Sequence, residues 1–403
     1  NGFDLQQKQQ DTILSIEKEV NKEVDQVLNW FDSSKSGPPD KSWINIFEPY
    51  WSLNYIPIYM IKHPSPLLPL GVGQAEQYGY YKKITNWSST YDNDMVEELA
   101  NPERLVNGNI DFSFLVIFLL PVLLIILTYN IMGLEQDFRF EKLISIQFGS
   151  VSKWIFIRFA FYVLLLILTV VFLIFTVAAI NNAVVSHWAE ITALIFLSVG
   201  YIICFSAIFY FLVLKSYGSS SMAFKMISVW LFLCIIIPGS VHQFASMNYP
   251  VSYMTDYLDV NRKEAYEVFE LSTDSLYTRL VEIYPDLSQT KHGQDNEINN
   301  RIIGNTVCAI VNQMNKKVIN EIEDKNEQKN KLIQFSYWFN PVSYVQNQWN
   351  HYTATDYYAY RDYRFDVQNI IDTKIELLTI ECWDERMVNK SIYEKYLKEL
   401  IGK

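Results

Sequence analysis

Residue types that build enzyme active sites and metal centres are scarce in this 403-residue chain. It has five histidines and four cysteines, and neither type recurs at the spacing that metal ligands require. The motifs GxxxxGK(S/T), HExxH, CxxC and GxSxG are absent. We therefore predict no catalytic residue, no metal site and no cofactor in this chain, and we expect it not to be an enzyme.

A basic surface is also missing. The chain has 33 Lys and Arg against 44 Asp and Glu, for a formal net charge of −11. Because proteins that bind nucleic acid neutralise phosphates with basic side chains, this balance argues against DNA or RNA as a partner. The few scattered cysteines also exclude a disulfide scaffold.

Long apolar runs are what the chain does contain. Residues 112–132 carry no charge, and a helix of that length, at about 1.5 Å per residue, spans the roughly 30 Å hydrocarbon core of a bilayer. Three similar blocks follow after short links. Pro238 and Gly239 predict a kink or an end in the last of them. We predict transmembrane helices at 112–132, 151–180, 190–214 and 222–244.

Ionisable side chains are nearly absent from these blocks. Residues 154–180 carry a single charge, Arg158 near the start, residues 191–214 carry none, and Lys225 lies near the start of the last block. Proton- and ion-coupled carriers normally use carboxylates or histidines inside the membrane as relays. The sequence therefore argues against a secondary transporter.

A charged amphipathic segment at 133–150 separates the first two blocks. This arrangement predicts a helical elbow lying at the membrane surface. Basic residues exceed acidic ones by six to three over 133–158 and 215–225, whereas 1–111 holds nine basic and sixteen acidic residues. Because Lys and Arg favour the cytoplasmic side, we place the elbow in the cytoplasm and both large polar regions outside. Both ends of the sequence then lie outside, so we expect one further span before Asn1 and one after Lys403.

The fold class predicted is a mainly α membrane protein, with four spans in this sequence and six in the full chain. Residues 1–111 predict an extracytoplasmic domain with an amphipathic N-terminal helix and a mixed α/β part, and 245–403 predict a mainly helical one. The aromatic cluster at 351–365 could be an interfacial belt, a partner surface or ordinary packing in a helical domain.

Three segments give the chain a resemblance to a known family. They are NPERLVNGNIDFSFLVIFLLPVLLIILTYNI (101–131), LLPLGVGQAEQYGYYKKIT (67–85) and NPVSYVQNQWNHYTATDYYAYRDYRF (340–365). With the order of the spans, they resemble the permease subunit of type-2 ABC transporters, in the bacterial branch with two large extracytoplasmic domains, which includes copper-maturation and gliding-motility permeases. Taken without the resemblance, the GxG within 67–85 predicts a tight turn, because no phosphate-loop lysine follows it.

The resemblance implies a partner and a function. The elbow would be a coupling helix seated on a separate cytoplasmic ATP-binding cassette ATPase, which would bind ATP and Mg²⁺. The permease would sit in the bacterial inner membrane, pair with a second copy or a related permease, and export its substrate. The implied contact residues are Glu135, Asp137, Arg139, Glu141, Lys142 and Leu143. The chain departs from the family here, because it lacks the Gly-Thr pair that usually follows the acidic residues.

Two other functions fit the residues. The chain could be an envelope scaffold or mechanotransmission subunit that moves no substrate through itself, with envelope proteins bound to its outer domains. A membrane-anchored enzyme acting outside the cell is the third reading, for which the sequence offers no catalytic set.

Overall fold

The fold is mainly helical, with 75% of the structure in helices. This structure is a computed structural model that describes residues 2–91, 110–132, 138, 140–215, 218–251, 260–294 and 298–402. Strands β1 (Ile58–Ile61) and β2 (Tyr81–Ile84) form an antiparallel pair in which Ile58 lies opposite Ile84.

The helices fall into three groups along the chain. The first group is α1 (Gly2–Asp32) and α2 (Pro49–Asn54). The apolar middle forms α3 (Phe112–Thr128), α4 (Glu141–Phe148), α5 (Val151–Ile180), α6 (Ala183–Ser186), α7 (Trp188–Lys215) and α8 (Ser219–Asn248). The last group is α9 (Val260–Phe269), α10 (Thr273–Ile283), α11 (Asn300–Thr306), α12 (Cys308–Phe335), α13 (Pro341–Tyr352), α14 (Tyr357–Asp384) and α15 (Lys390–Ile401).

Helices α5, α7 and α8 are long and apolar enough to cross a membrane. Their outward faces carry large exposed apolar side chains, such as Phe172, Phe196 and Phe224. Apolar surface of this extent is unfavourable in water and natural in lipid. The chain is therefore a membrane protein. Helix α3 is apolar as well, but it ends at Thr128, short of the predicted Met132.

A π-helical turn precedes each of two prolines in the bundle formed by α3, α5, α7 and α8. In α3 it covers Leu115–Leu119, just before Pro121, and in α8 it covers Phe232–Ile236, just before Pro238. Proline lacks an N–H and its ring collides with the carbonyl of residue i−4, so the wider turn lets each helix pass the proline. Helix α8 accordingly continues to Asn248, beyond the predicted kink or end at Pro238.

Side chains from neighbouring helices donate hydrogen bonds to two carbonyls of the α3 turn. The Tyr201 hydroxyl donates to the Ile117 carbonyl, the one that Pro121 cannot bond, at 2.7 Å. The Trp230 indole N–H donates to the Phe118 carbonyl at 3.1 Å. An unpaired carbonyl is costly in an apolar interior, so these bonds fix α7 and α8 against α3.

The polar parts of the chain before and after the bundle share one hydrophobic core, which we call the core of the polar domain. Val27 and Phe31 of α1 pack there with Ile371 of α14 and Tyr393 of α15. The rings of Phe31 and Tyr393 lie 5.3 Å apart. The sequence predicts separate domains at 1–111 and 245–403, whereas in the structure their described apolar side chains meet in this core.

The aromatic segment 351–365 packs into this polar domain. Tyr360 is buried, and the Tyr363 hydroxyl donates to the Met60 carbonyl at 3.1 Å. Tyr357 donates to Glu323 at 2.6 Å. Ordinary packing therefore accounts for much of the segment.

Glu323 and Arg364 form a buried ion pair between α12 and α14. Arg364 Nε lies 2.7 Å from Glu323 Oε1, and the hydroxyls of Tyr91 and Tyr357 donate to the same carboxylate. Burial tends to raise the pKa of Glu323, but Arg364 and the two hydroxyls outweigh it and hold that pKa below its usual value. The rings of Tyr78, Tyr91 and Tyr357 surround the guanidinium.

Replacing Arg364 with Met should destabilise the protein strongly at pH 7. The variant leaves the Glu323 carboxylate buried without its cation, which typically costs about 3–5 kcal/mol. Thermal unfolding of the detergent-solubilised protein measures the loss. Lys331→Met is the matched control, because it removes the cation of the exposed Lys331–Glu327 pair, and it should change the midpoint little.

The difference in unfolding midpoint between the wild type and Arg364→Met should become smaller in acid. In the wild type, ionised Glu323 adds to the free energy of unfolding. This stabilisation is fully present above the unfolded-state pKa of about 4.3 and is lost as the pH falls through the lower folded-state pKa. In the variant, protonation removes the uncompensated charge. An undiminished difference at pH 3 would contradict this account.

Lys374→Met should stabilise the protein at pH 7. Burial lowers the pKa of Lys374 to about 8, although its ammonium donates to the Ile84 carbonyl at 3.2 Å. This lower pKa means that the buried ammonium reduces the free energy of unfolding by up to about 3 kcal/mol at pH 7. The variant regains this amount but loses the hydrogen bond, which costs about 1 kcal/mol. The wild type should gain stability between about pH 8 and 10, because the unfolded lysine keeps a proton that the folded one has released. The advantage of Met should therefore disappear by about pH 10, and unfolding midpoints across this range would check it.

Candidate functional site

The Asp111 carboxylate joins the first bundle helix to the polar domain. One oxygen accepts the Phe114 N–H at 2.8 Å and the Ser113 hydroxyl at 2.6 Å, so Asp111 is the N-cap of α3. Its other oxygen accepts the Val72 N–H at 2.8 Å. A single side chain thus fixes the start of α3 to the loop that precedes β2.

Trp349 of α13 fixes the same loop from the other side. Its indole N–H donates to the Leu70 carbonyl at 2.8 Å, and its fully buried ring lies against Phe112. The Thr355 hydroxyl donates to the Gly71 carbonyl at 3.0 Å. We call Leu70, Asp111, Trp349, Thr355 and the turn Gly71–Gly73 the junction.

The two glycines of the junction permit a close approach of backbone and side chains. A Cβ atom on Gly71 would lie 2.8 Å from Cδ1 of Trp349. Gly73 has a φ of +47°, and a Cβ there would lie 2.5 Å from Oγ1 of Thr355. The GxG is therefore a turn packed on Trp349 and Thr355, which confirms the tight turn predicted from the sequence.

A second tether lies between α1 and the end of α5. The Asn181 amide donates to Oε1 of Gln6 at 2.8 Å and to the Pro66 carbonyl at 2.7 Å. With the junction, this contact holds the polar domain on one end of the bundle at two places.

The junction brings together the three segments on which the family resemblance rests. Asp111 comes from 101–131, the glycine turn from 67–85, and Trp349 and Thr355 from 340–365. The sequence predicts the tight turn at Gly71–Gly73, but it assigns no role to Asp111, Trp349 or Thr355. The unusual density of Gly, Asn, Trp and Thr in the three segments is the signal that could have indicated a packed junction.

The elbow lies at the opposite end of α5, and it is only partly described. Glu135, Asp137 and Arg139 lie outside the described residues. Helix α4 begins at Glu141, whose side chain is also not described, and ends at Phe148. It is capped by Gly149, which has a φ of +72°. Lys142 and Leu143 are exposed, and Ile144 is buried.

Apolar side chains form much of the exposed surface of the elbow. Leu143 is 53% exposed and Ile146 is 82% exposed, and Phe138, Phe140 and Phe148 are exposed as well. The rings of Phe138 and Phe140 stack at 5.9 Å. Five of the six contact residues that the family resemblance implies here are charged. A cluster of exposed apolar groups is typical of a surface that contacts a partner or lipid.

The elbow end of the bundle is held by Arg158 of α5. Its guanidinium donates to the Ile131 carbonyl at 3.1 Å and lies over the Trp154 ring at 4.5 Å. Movement of α5 at the elbow would therefore be carried to the chain that follows α3. Among the described residues, no group of three or more His, Cys, Asp and Glu could hold a metal ion.

Gly71→Ala should loosen the junction. The added methyl group must displace Trp349, and overpacking of this kind costs about 1–3 kcal/mol. Gly304→Ala is the matched control, because a Cβ there meets nothing within 4 Å and alanine favours a helix by about 1 kcal/mol. Thermal midpoints should therefore move in opposite directions. Equal midpoints for the two variants would contradict the close packing described.

Comparisons with known proteins give no relative for this chain. No protein-family profile, no curated protein and no solved structure matches it. A functional assignment must therefore be argued from the bundle, the junction and the elbow themselves.

Proposed function

We propose that this chain is the non-catalytic, membrane-spanning permease subunit of an ATP-driven transporter of the type-2 ABC kind. The observation that carries the proposal is the arrangement along the bundle. A short helix with exposed apolar side chains lies at one end of α5, and a large polar domain is fixed to the other end. This is the layout expected of a subunit that receives movement on one side of a membrane and uses it on the other.

The shared core of the polar domain supports four spans. Residues Val27 to Ile84 and Val268 to Leu400 contribute to one core, so the chain between them must cross the membrane an even number of times. Helices α5, α7 and α8 give three crossings, and α3 supplies the fourth. Its 17 residues extend about 26 Å, close to the thickness of the hydrocarbon core.

The charge pattern supports an orientation with the elbow in the cytoplasm and the polar domain outside the inner membrane. Exposed Phe335 and Trp338 precede α13, which packs on the bundle helix α7. Aromatic rings of this kind are typical of the membrane–water interface, and they support a polar domain that lies directly on the outer surface.

The elbow would seat on a cytoplasmic ATP-binding cassette ATPase that holds ATP and Mg²⁺. Lys142, Leu143 and Ile146 would contact it, with Glu135, Asp137, Arg139 and Glu141 as further contacts from the sequence. Closure of the ATPase would move α4 and the spans as rigid bodies, and the junction would pass the movement to the outer domain. A second permease, identical or related, would complete a transporter whose direction we propose to be export.

A scaffold or mechanotransmission subunit is the second candidate. Tyr201, Phe205 and Phe209 fill the bundle interior with buried aromatic rings, and such a packed interior favours a chain that transmits force without passing substrate through itself. Both candidates need the elbow, but only the transporter needs a substrate path between permeases.

Leu143→Glu should detach the ATPase. The expected result is at least a tenfold loss of a roughly one-to-one ATPase subunit when the protein is purified in mild detergent and analysed by mass spectrometry, because a charge would replace an exposed apolar contact. Ser145→Glu adds the same charge at an exposed position about 160° away around the same helix and should retain the ATPase.

Absence of any ATPase from the wild-type preparation, even after crosslinking, would overturn the proposal. Recovery of envelope proteins alone would favour the scaffold. Reconstitution of an intact complex that hydrolyses ATP and accumulates no substrate, with unchanged hydrolysis in Leu143→Glu, would also count against a coupled transporter.

A further inference from the structure

A cavity of about 580 Å³ lies between the polar domain and the bundle. Its walls come from α12, α13, the start of α14, the loop after the junction, and His242 near the end of α8. The volume falls within the range of about 300–1,000 Å³ that is usual for small-molecule sites. No role in the proposed transport cycle requires this cavity.

Side-chain carboxamides dominate the wall of this carboxamide cavity. They include Gln74, Asn330, Gln334, Asn347 and Asn350. Each carboxamide offers two N–H donors and an acceptor oxygen side by side. A wall of this kind matches a ligand whose groups both donate and accept hydrogen bonds, and hydroxyl groups do so.

In two of these carboxamides the acceptor oxygen makes no hydrogen bond within the described residues. Oε1 of Gln74 and Oδ1 of Asn350 are buried and have no hydrogen-bond partner among the described residues. Buried polar atoms are normally paired. Both residues line the cavity, so a rotation of either carboxamide would bring its oxygen to the cavity surface, where a hydroxyl donor of a ligand would satisfy it.

Tyrosine rings line the cavity beside the amides, and two of them are held in place. The Asn347 amide donates to the Tyr337 hydroxyl at 2.6 Å, and the Gln334 amide donates to the Tyr358 hydroxyl at 3.0 Å. Rings fixed in this way offer flat apolar faces without a further loss of side-chain freedom.

The charged groups of the cavity do not suit a phosphate. Lys329 lines the cavity, and burial lowers the pKa of this lysine. Asp356 opposes an anion, and its carboxylate caps α14 through the Ala359 N–H and approaches His351. Phosphate sites usually combine several Arg or Lys side chains.

We propose that the carboxamide cavity binds a sugar, as a mono- or disaccharide or as the terminal unit of a glycan. Hydroxyl groups bond to the amides, including the two unpartnered oxygens, and the apolar face of a pyranose ring packs on a tyrosine. Because His242 belongs to α8, a bound sugar contacts a spanning helix and the polar domain together.

Saturation-transfer NMR on the purified full chain tests the proposal. The protein is held in a detergent without a sugar headgroup, and the probes are methyl β-D-glucoside, methyl β-D-galactoside, N-acetylglucosamine and maltose. At least one probe should receive saturation from the wild type. Asn330→Trp should reduce that signal at least fivefold by filling the cavity, whereas Gln328→Trp, on the same helix but outside the cavity, should retain it.

Gln74→Met gives an independent readout that does not depend on tolerance of the large tryptophan. It removes an unpartnered oxygen, so it should raise the thermal midpoint without sugar and lower the sugar signal at least threefold. A lower midpoint would contradict the assignment.

Absence of signal for all four probes, or equal signals in the two Trp variants, would overturn the proposal. Binding of inorganic phosphate that no glycoside displaces would assign the cavity to anions and overturn it as well.

Discussion

The structure depends on one constraint: a carbonyl in the apolar bundle must find a donor. Pro121 removes the N–H that the Ile117 carbonyl would accept, and the π-helical turn around it changes the bonding of its neighbours. Tyr201 and Trp230 supply donors from two other helices. The irregular turn in α3 thereby determines which faces of α7 and α8 meet it, and the order of helices in the bundle follows from a few specific bonds as well as from apolar packing.

A small number of side chains, each with two contacts, joins the bundle to the polar domain. Asp111 is at once a helix cap and a tether for the glycine turn, and Trp349 is at once a core residue and a donor to Leu70. The junction permits little relative movement of the two parts, because each of its hydrogen bonds ends on a main-chain group. The polar domain is therefore joined to the bundle through main-chain contacts that cannot slide independently of α3.

The apolar blocks could be predicted from the sequence because spanning a bilayer imposes a length and a composition that are local properties. The shared core could not, because Phe31 and Tyr393 meet only after the whole bundle has formed between them. Pro238 predicted a kink or an end, and the structure continues α8 through a π-helical turn whose formation depends on neighbours. At the elbow, charges predict a surface helix. The sequence does not show which apolar side chains are exposed, because that depends on the packing that buries Ile144 and leaves Leu143 and Ile146 in the open.

The core of the polar domain also constrains how the protein is made. Its first half, including Val27 and Ile84, leaves the ribosome before the bundle, and its second half, including Ile371 and Tyr393, leaves after it. Contacts this distant in sequence form slowly, and the apolar side chains of the first half stay uncovered meanwhile. Completion of this domain therefore requires both half-cores to lie on the same side of the membrane, and a chain with an odd number of crossings between them would keep them apart.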